Sequence, residues 1–146
     1  MSGERTSEIA ARFEDCTKDA EALIVQGGVN DIAAGHSVEE IAANLREIVE
    51  RGKNLGIPVA IAELLPWNNG FPRAEGPIRT LNRSIAEIGR EERVAVLPFY
   101  DALEDPARPG RMRADLTAEG DHPSIEGYRV MGRVVAARLP QPASSP

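Results

Sequence analysis

Apolar residues recur along this chain with two different periods, and the alternation between them outlines a fold. From Glu8 to Ala20, Ile9, Phe13 and Cys16 fall at helical spacing among charged residues. This predicts a surface helix with Cys16 on its apolar stripe, packed rather than reactive. Ala22-Leu23-Ile24-Val25 is a short unbroken apolar run closed by Gly27-Gly28, which predicts a buried parallel strand. Ser37-Val38-Glu39-Glu40 has the form of a capping box, and Ile41, Leu45, Ile48 and Val49 continue one apolar face to about Arg51, so a helix is predicted there. Ile57 to Ala62 predicts a second strand, and the stretch rich in Pro, Gly and Asn from Leu64 to Pro77 a loop. Ile78, Leu81, Ile85 and Ile88 mark another helix, and Val94 to Leu97 a third strand. An irregular stretch with Pro98, Pro106 and Pro109 follows. A last helix then begins near Ser124 and carries Tyr128, Met131, Val135 and Leu139. The Pro/Ser-rich end, 140–146, reads as a flexible tail beyond a single domain over residues 1–139.

Strands alternating with helices of ten or more residues imply right-handed crossovers and a parallel sheet covered on both faces. In such sheets functional groups gather in the loops leaving the C-terminal strand ends. Three segments therefore matter most: Gly27 to His36, Leu64 to Pro77 and Pro98 to His122.

Composition narrows the function classes. The 146 residues are 42% apolar, enough for a core, but only 4% aromatic, so packing rests on Ala, Val, Ile and Leu. A net charge of −6 and a pI near 5.0 argue against nucleic acid and against anionic lipid surfaces. The single cysteine, Cys16, excludes an internal disulfide and a multi-thiolate metal site, which fits a reducing compartment. The polar start Met1-Ser2-Gly3-Glu4-Arg5-Thr6 has no signal-peptide or membrane-span character, so a cytoplasmic location is expected. No ligand cluster with metal spacing is visible, and neither metal nor organic cofactor is expected.

Two of the three segments carry candidate chemistry. In Gly28-Val29-Asn30-Asp31 a glycine allows a sharp turn after the strand, and an Asn fixed at a strand end can aim its amide N–H at a developing oxyanion. Alternatively, Asn30 and Asp31 bond the turn itself. In Glu119-Gly120-Asp121-His122-Pro123 the imidazole suits proton shuttling near neutrality. A carboxylate on its other nitrogen would set the tautomer, and Glu119 is three residues away. Trp67, in Leu64-Leu65-Pro66-Trp67-Asn68-Asn69-Gly70-Phe71-Pro72, is either a wall of a substrate pocket or a lid packed on the sheet. His36 reads as exposed.

These motifs resemble those of the SGNH (GDSL-type) ester hydrolases. Gly28-x-Asn30-Asp31 is similar to the third block of that family. Leu116-Thr117-Ala118-Glu119-Gly120-Asp121-His122-Pro123-Ser124-Ile125-Glu126-Gly127-Tyr128 is similar to the fifth, whose pattern is Asp-x-x-His-Pro followed by Gly-Tyr. Gly3 to Glu8 resembles the sequence after the second block. The resemblance implies a three-layer α/β/α flavodoxin-like fold that lacks its first two strands. It implies His122 as general base, Glu119 in the family's Asp position as its orienter, Asn30 with Gly28 at the oxyanion, and Trp67 and Asp31 toward a small ester substrate.

The family's Gly-Asp-Ser does not occur in the chain. Ser2 and Ser7 precede the first helix, Ser37 reads as a cap, Ser84 lies mid-helix and Ser124 follows His122-Pro123. Without a nucleophile the isolated chain is expected to be nearly inactive. In the family's strand order, Leu23 to Val25 would be left as an unpaired edge, available to a second copy in a homodimer or to an N-terminal fragment carrying Gly-Asp-Ser. The alternatives are a binding module that kept the fold without catalysis and, less well matched to the His122 motif, a flavodoxin-like signalling domain.

Overall fold

A computed structural model describes residues 3–139; the expected tail, 140–146, lies outside the described residues. Ser37 starts a long amphipathic segment by a reciprocal cap: its Oγ accepts from Glu40 N at 3.2 Å, and the Glu40 carboxylate accepts from Ser37 N at 3.1 Å. The helix it opens runs Val38–Asn54 and buries Ile41, Leu45, Ile48 and Val49. A second long helix, Glu75–Glu92, buries Ile78, Leu81, Ile85 and Ile88 on the same face of the sheet. It begins two residues before Pro77, because a proline in the first turn removes an N–H that has no intrahelical partner anyway.

In chain order the elements are α1 (Thr6–Ala11), α2 (Phe13–Thr17), β1 (Leu23–Val25), α3 (Val29–Ala34), α4 (Val38–Asn54), β2 (Val59–Ala62), α5 (Glu75–Glu92), β3 (Ala95–Leu97), α6 (Phe99–Leu103) and α7 (Ile125–Arg138). The strands form one parallel sheet in the order β1-β2-β3, with Ile24 opposite Ala60 and Ile61 opposite Val96. Alternation along the strands then divides the core in two. Leu23, Val25, Ile61 and Val96 face α4 and α5 in the larger cluster. Ala60, Ala62 and Leu97 face Met131, Val134 and Val135 of α7 in a smaller one. A Cβ on Gly52 would stand 2.8 Å from Leu23 and 2.9 Å from Val59, so only glycine lets α4 come this close to the sheet. Helices on both faces of a parallel sheet make the three-layer α/β/α architecture that the sequence implies.

Two expectations need correction. The helix expected over Glu8 to Ala20 breaks at Arg12 into α1 and α2, and its buried stripe is Thr6, Ala10, Phe13 and Thr17, which keeps Phe13 but puts Ala10 and Thr17 where Ile9 and Cys16 were expected. The threonines can face inward because both hydroxyls find acceptors within the chain: Thr17 donates to Phe13 O at 2.8 Å and Thr6 to Asp31, 25 positions on, at 2.8 Å. Cys16 is consequently exposed, touching the Arg12 guanidinium instead of the core. The cover on the sheet is also uneven. Ile24 shares the α7 face yet remains 43% exposed, because α7 packs over β3 and leaves the β1 side open. Among the described residues no strand pairs with the outer edge of β1.

Candidate functional site

The chain leaves β1 through Gln26-Gly27-Gly28 and turns at once into α3. Gly28 has φ 120°, and a Cβ there would lie 2.8 Å from Leu81 and 2.9 Å from Ile41. Both the backbone angle and the space therefore demand glycine. One residue on, Val29 begins α3, which places Asn30 and Asp31 in the first turn, pointing different ways. Asn30 is half-buried and lines a cleft of about 500 Å³, with its Nδ2 donating to the carbonyl of Glu4 at 2.9 Å. An amide nitrogen carries two hydrogens, so one N–H remains for another acceptor. Asp31 is only 3% exposed and turns into the protein, accepting from Thr6 N at 2.9 Å and Thr6 Oγ1 at 2.8 Å. Asn44 in turn donates to Thr6 Oγ1 at 3.0 Å. The expected substrate contact of Asp31 is thus corrected: its carboxylate pins α1 to α3 and takes no part in lining the cleft.

His122 lies on the loop before α7. Ala118 N and Thr117 Oγ1 both donate to His122 O at 3.0 Å, and Gly120 N donates to Thr117 Oγ1 at 2.9 Å, closing a tight turn. This turn brings the Glu119 carboxylate onto Nδ1 of His122. The imidazole is exposed, and it lines the same cleft as Gly28, Asn30 and Trp67. Asp121, the other carboxylate beside the histidine, instead accepts from the Trp67 indole N–H at 2.6 Å. The half-buried ring of Trp67 packs against the main core and also lines the cleft. Gly70 makes this possible, because a Cβ there would meet the indole at 2.2 Å.

Arg12 also lines the cleft and carried no signal in the sequence. Arg12 binds the Glu4 carboxylate through Nε at 2.9 Å and Nη2 at 2.5 Å, and both residues line the cleft. The hydrogen bond from Arg12 holds the Glu4 carboxyl below its usual range. At the end of β2, Glu63 is half-buried and accepts from Tyr100 N at 3.2 Å, and burial pushes its carboxyl up. His36 is exposed, 4.0 Å from Glu40. No serine among the described residues lines the cleft: Ser37 and Ser124 cap helices, and Ser84 Oγ donates to Thr80 O at 3.5 Å. Among the described residues no three His, Cys, Asp or Glu side chains are grouped as a metal ion would require.

A parallel three-layer sheet with an imidazole–carboxylate pair and an amide donor in one cleft at its C-terminal rim has the organisation of a layered α/β hydrolase. The chain belongs to the GDSL-like Lipase/Acylhydrolase family, whose sequence model matches residues 1–130. It is therefore an SGNH hydrolase by family. Solved structures agree on the fold. A GDSL-like lipase from Bacteroides thetaiotaomicron superposes with a TM-score of 0.84 at 20% identity, over 93% of this chain and 71% of that one. A member of the lipolytic G-D-S-L family from Veillonella parvula gives 0.78 at 19% identity, over 92% and 74%. A catalytic mutant of an acetylxylan esterase from Geobacillus stearothermophilus gives 0.78 at 19%, over 93% and 68%. No curated protein matches the sequence.

Proposed function

We propose that this chain supplies the general base and the oxyanion donor of an ester hydrolase, and that the attacking hydroxyl comes from a polypeptide segment outside the described residues. The observation that carries this reading is that His122, with Glu119 on its Nδ1, and Asn30 line one cleft. Nε2 of His122 accepts the serine proton and returns it to the leaving alcohol, while Glu119 stabilises the imidazolium formed in between. Asn30 Nδ2, helped by the backbone N–H of Gly28, donates to the oxygen that gains charge. Trp67 forms one wall for the substrate. The serine arrives on a strand laid along the free edge of β1, contributed by a separate N-terminal segment that carries Gly-Asp-Ser; at that edge a strand end would stand next to Gly27 and Gly28. Acetyl esters are the first substrates to test, because one fold neighbour is an acetylxylan esterase.

The test is hydrolysis of p-nitrophenyl acetate by the chain alone and by the chain fused to a strand and helix bearing Gly-Asp-Ser. The isolated chain should show no turnover above buffer. The fused protein should gain turnover that falls by roughly a hundredfold or more in His122→Ala. Turnover that survives that substitution sinks the base assignment, and His122-dependent turnover by the isolated chain sinks the external nucleophile. A second reading, a non-catalytic binding module, is favoured by the lack of a cleft serine among the described residues and by the Glu4 carbonyl bound to Asn30. It predicts that the fused protein stays inactive while acetylated sugars still bind.

A further inference from the structure

The loop that carries His122 is held from outside by three consecutive residues. Trp67 Nε1 donates to Asp121 Oδ1 at 2.6 Å, Asn68 N donates to Gly120 O at 3.0 Å, and Asn69 Nδ2 donates to Glu119 O at 3.0 Å. Residues 67, 68 and 69 thus meet 121, 120 and 119 in reverse order. The fit is close: Gly120 has φ 97°, and a Cβ on it would stand 2.6 Å from Asn69 Oδ1. The clamp is itself anchored, because Asn68 Nδ2 donates to Met112 O at 3.0 Å and its Oδ1 accepts from Met112 N at 2.6 Å. Met112 is fully buried.

His122 has a carboxylate three residues before it and another immediately before it; the first sits on Nδ1, and the second, if freed, competes by accepting from the other ring nitrogen, Nε2. The indole N–H occupies Asp121, and the amide of Asn69 fixes the backbone that presents Glu119. We propose that Trp67 and Asn69 are positioning residues that allocate the two carboxylates, sending Glu119 to Nδ1 of His122 and keeping Asp121 from accepting at Nε2. The imidazole is thereby held with its proton on Nδ1 and with Nε2 available as an acceptor. This inference rests on the reading of His122 as the base, and it assigns the setting of that base to residues on a different loop, 50 or more positions away in sequence.

The chain contains only two histidines, so their tautomers can be read separately by long-range proton–nitrogen correlation spectra well above the ordinary imidazole range. His122 of the unaltered chain should carry its proton on Nδ1. Trp67→Phe, which keeps a ring but deletes the N–H, and Asn69→Ala, at an exposed position, should each move the tautomer ratio toward Nε2–H by roughly three- to tenfold, the weight of one net hydrogen bond. His36 should not change. Adding Asp121→Asn to Trp67→Phe should restore much of the Nδ1–H population, a rescue that a merely structural role for the indole does not produce. An Nε2–H tautomer in the unaltered chain, or an unchanged ratio in a folded Asn69→Ala protein, overturns the proposal. These spectra need no turnover, so their failure is distinct from failure of the esterase reading, which falls on the His122→Ala assay.

Discussion

Asn30 and Asp31 are adjacent in sequence and opposite in role. In the first turn of α3, consecutive residues point about 100° apart, which sends the amide to the cleft and the carboxylate inward. Thr6, the partner that claims Asp31, lies 25 positions upstream, and nothing local announces it. This is why the sequence did not show that Asp31 turns inward. Asp31→Ala should leave two buried Thr6 groups without their acceptor and lower stability by about 1–3 kcal/mol, read by thermal melting. Glu119 was legible because its partner sits three residues on. Replacing it with Gln keeps the shape but removes the charge, and should reduce turnover of the fused protein by roughly a hundredfold or more.

Glu63 gives a pH-dependent test at the same scale. Burial raises its carboxyl, so the fold favours the protonated form; the stability this contributes is present below the ordinary carboxylate range and is lost as pH rises through the raised value. Glu63→Gln can still accept from Tyr100 N, so it should melt later than the parent at neutral pH, with the difference vanishing in acid. Tyr100 is 4% exposed and its hydroxyl has no hydrogen-bond partner among the described residues, while burial pushes its pKa up to about 12. Tyr100→Phe should accordingly be neutral or stabilising in a denaturant titration.

Among the elements, those built on sustained apolar periodicity could be read in advance. The Ser37 cap and the stripe from Ile41 to Val49 delimit α4, and the stripe from Ile78 to Ile88 delimits most of α5. Leu45 is fully buried between helix and sheet, so Leu45→Ala should cost about 2–5 kcal/mol in the same titration. The elements missed are those too short for periodicity to speak: α3 has 6 residues and α6 has 5. Both lie in segments read as loops. The stripe missed in α1 and α2 has another cause, since threonine is polar in composition yet core-facing once its hydroxyl bonds within the chain. The clamp between residues 67–69 and 119–121 was unreadable because it pairs two loops without regular structure.

At the scale of the molecule, the parallel sheet and its C-terminal rim followed from the order of strands and helices, and the rim is where the cleft lies. The uneven cover did not follow, because it depends on where α7 settles. An edge strand whose Ile24 is 43% exposed, beside a helix burying only Gly127 completely among its described residues, leaves apolar surface for a further strand. If that surface joins copies of the chain, sedimentation should show concentration-dependent association, and Ile24→Lys should suppress it.

Asn30 and His122 are proposed to serve one reaction centre. The most direct test is kcat for p-nitrophenyl acetate in the serine-bearing fused protein carrying His122→Ala, Asn30→Ala or both. Each single change should lower kcat by about a hundredfold, and the double variant should fall well short of the product of the two losses, as for groups acting on one transition state. An Asn30→Ala protein with unchanged kcat would contradict the account.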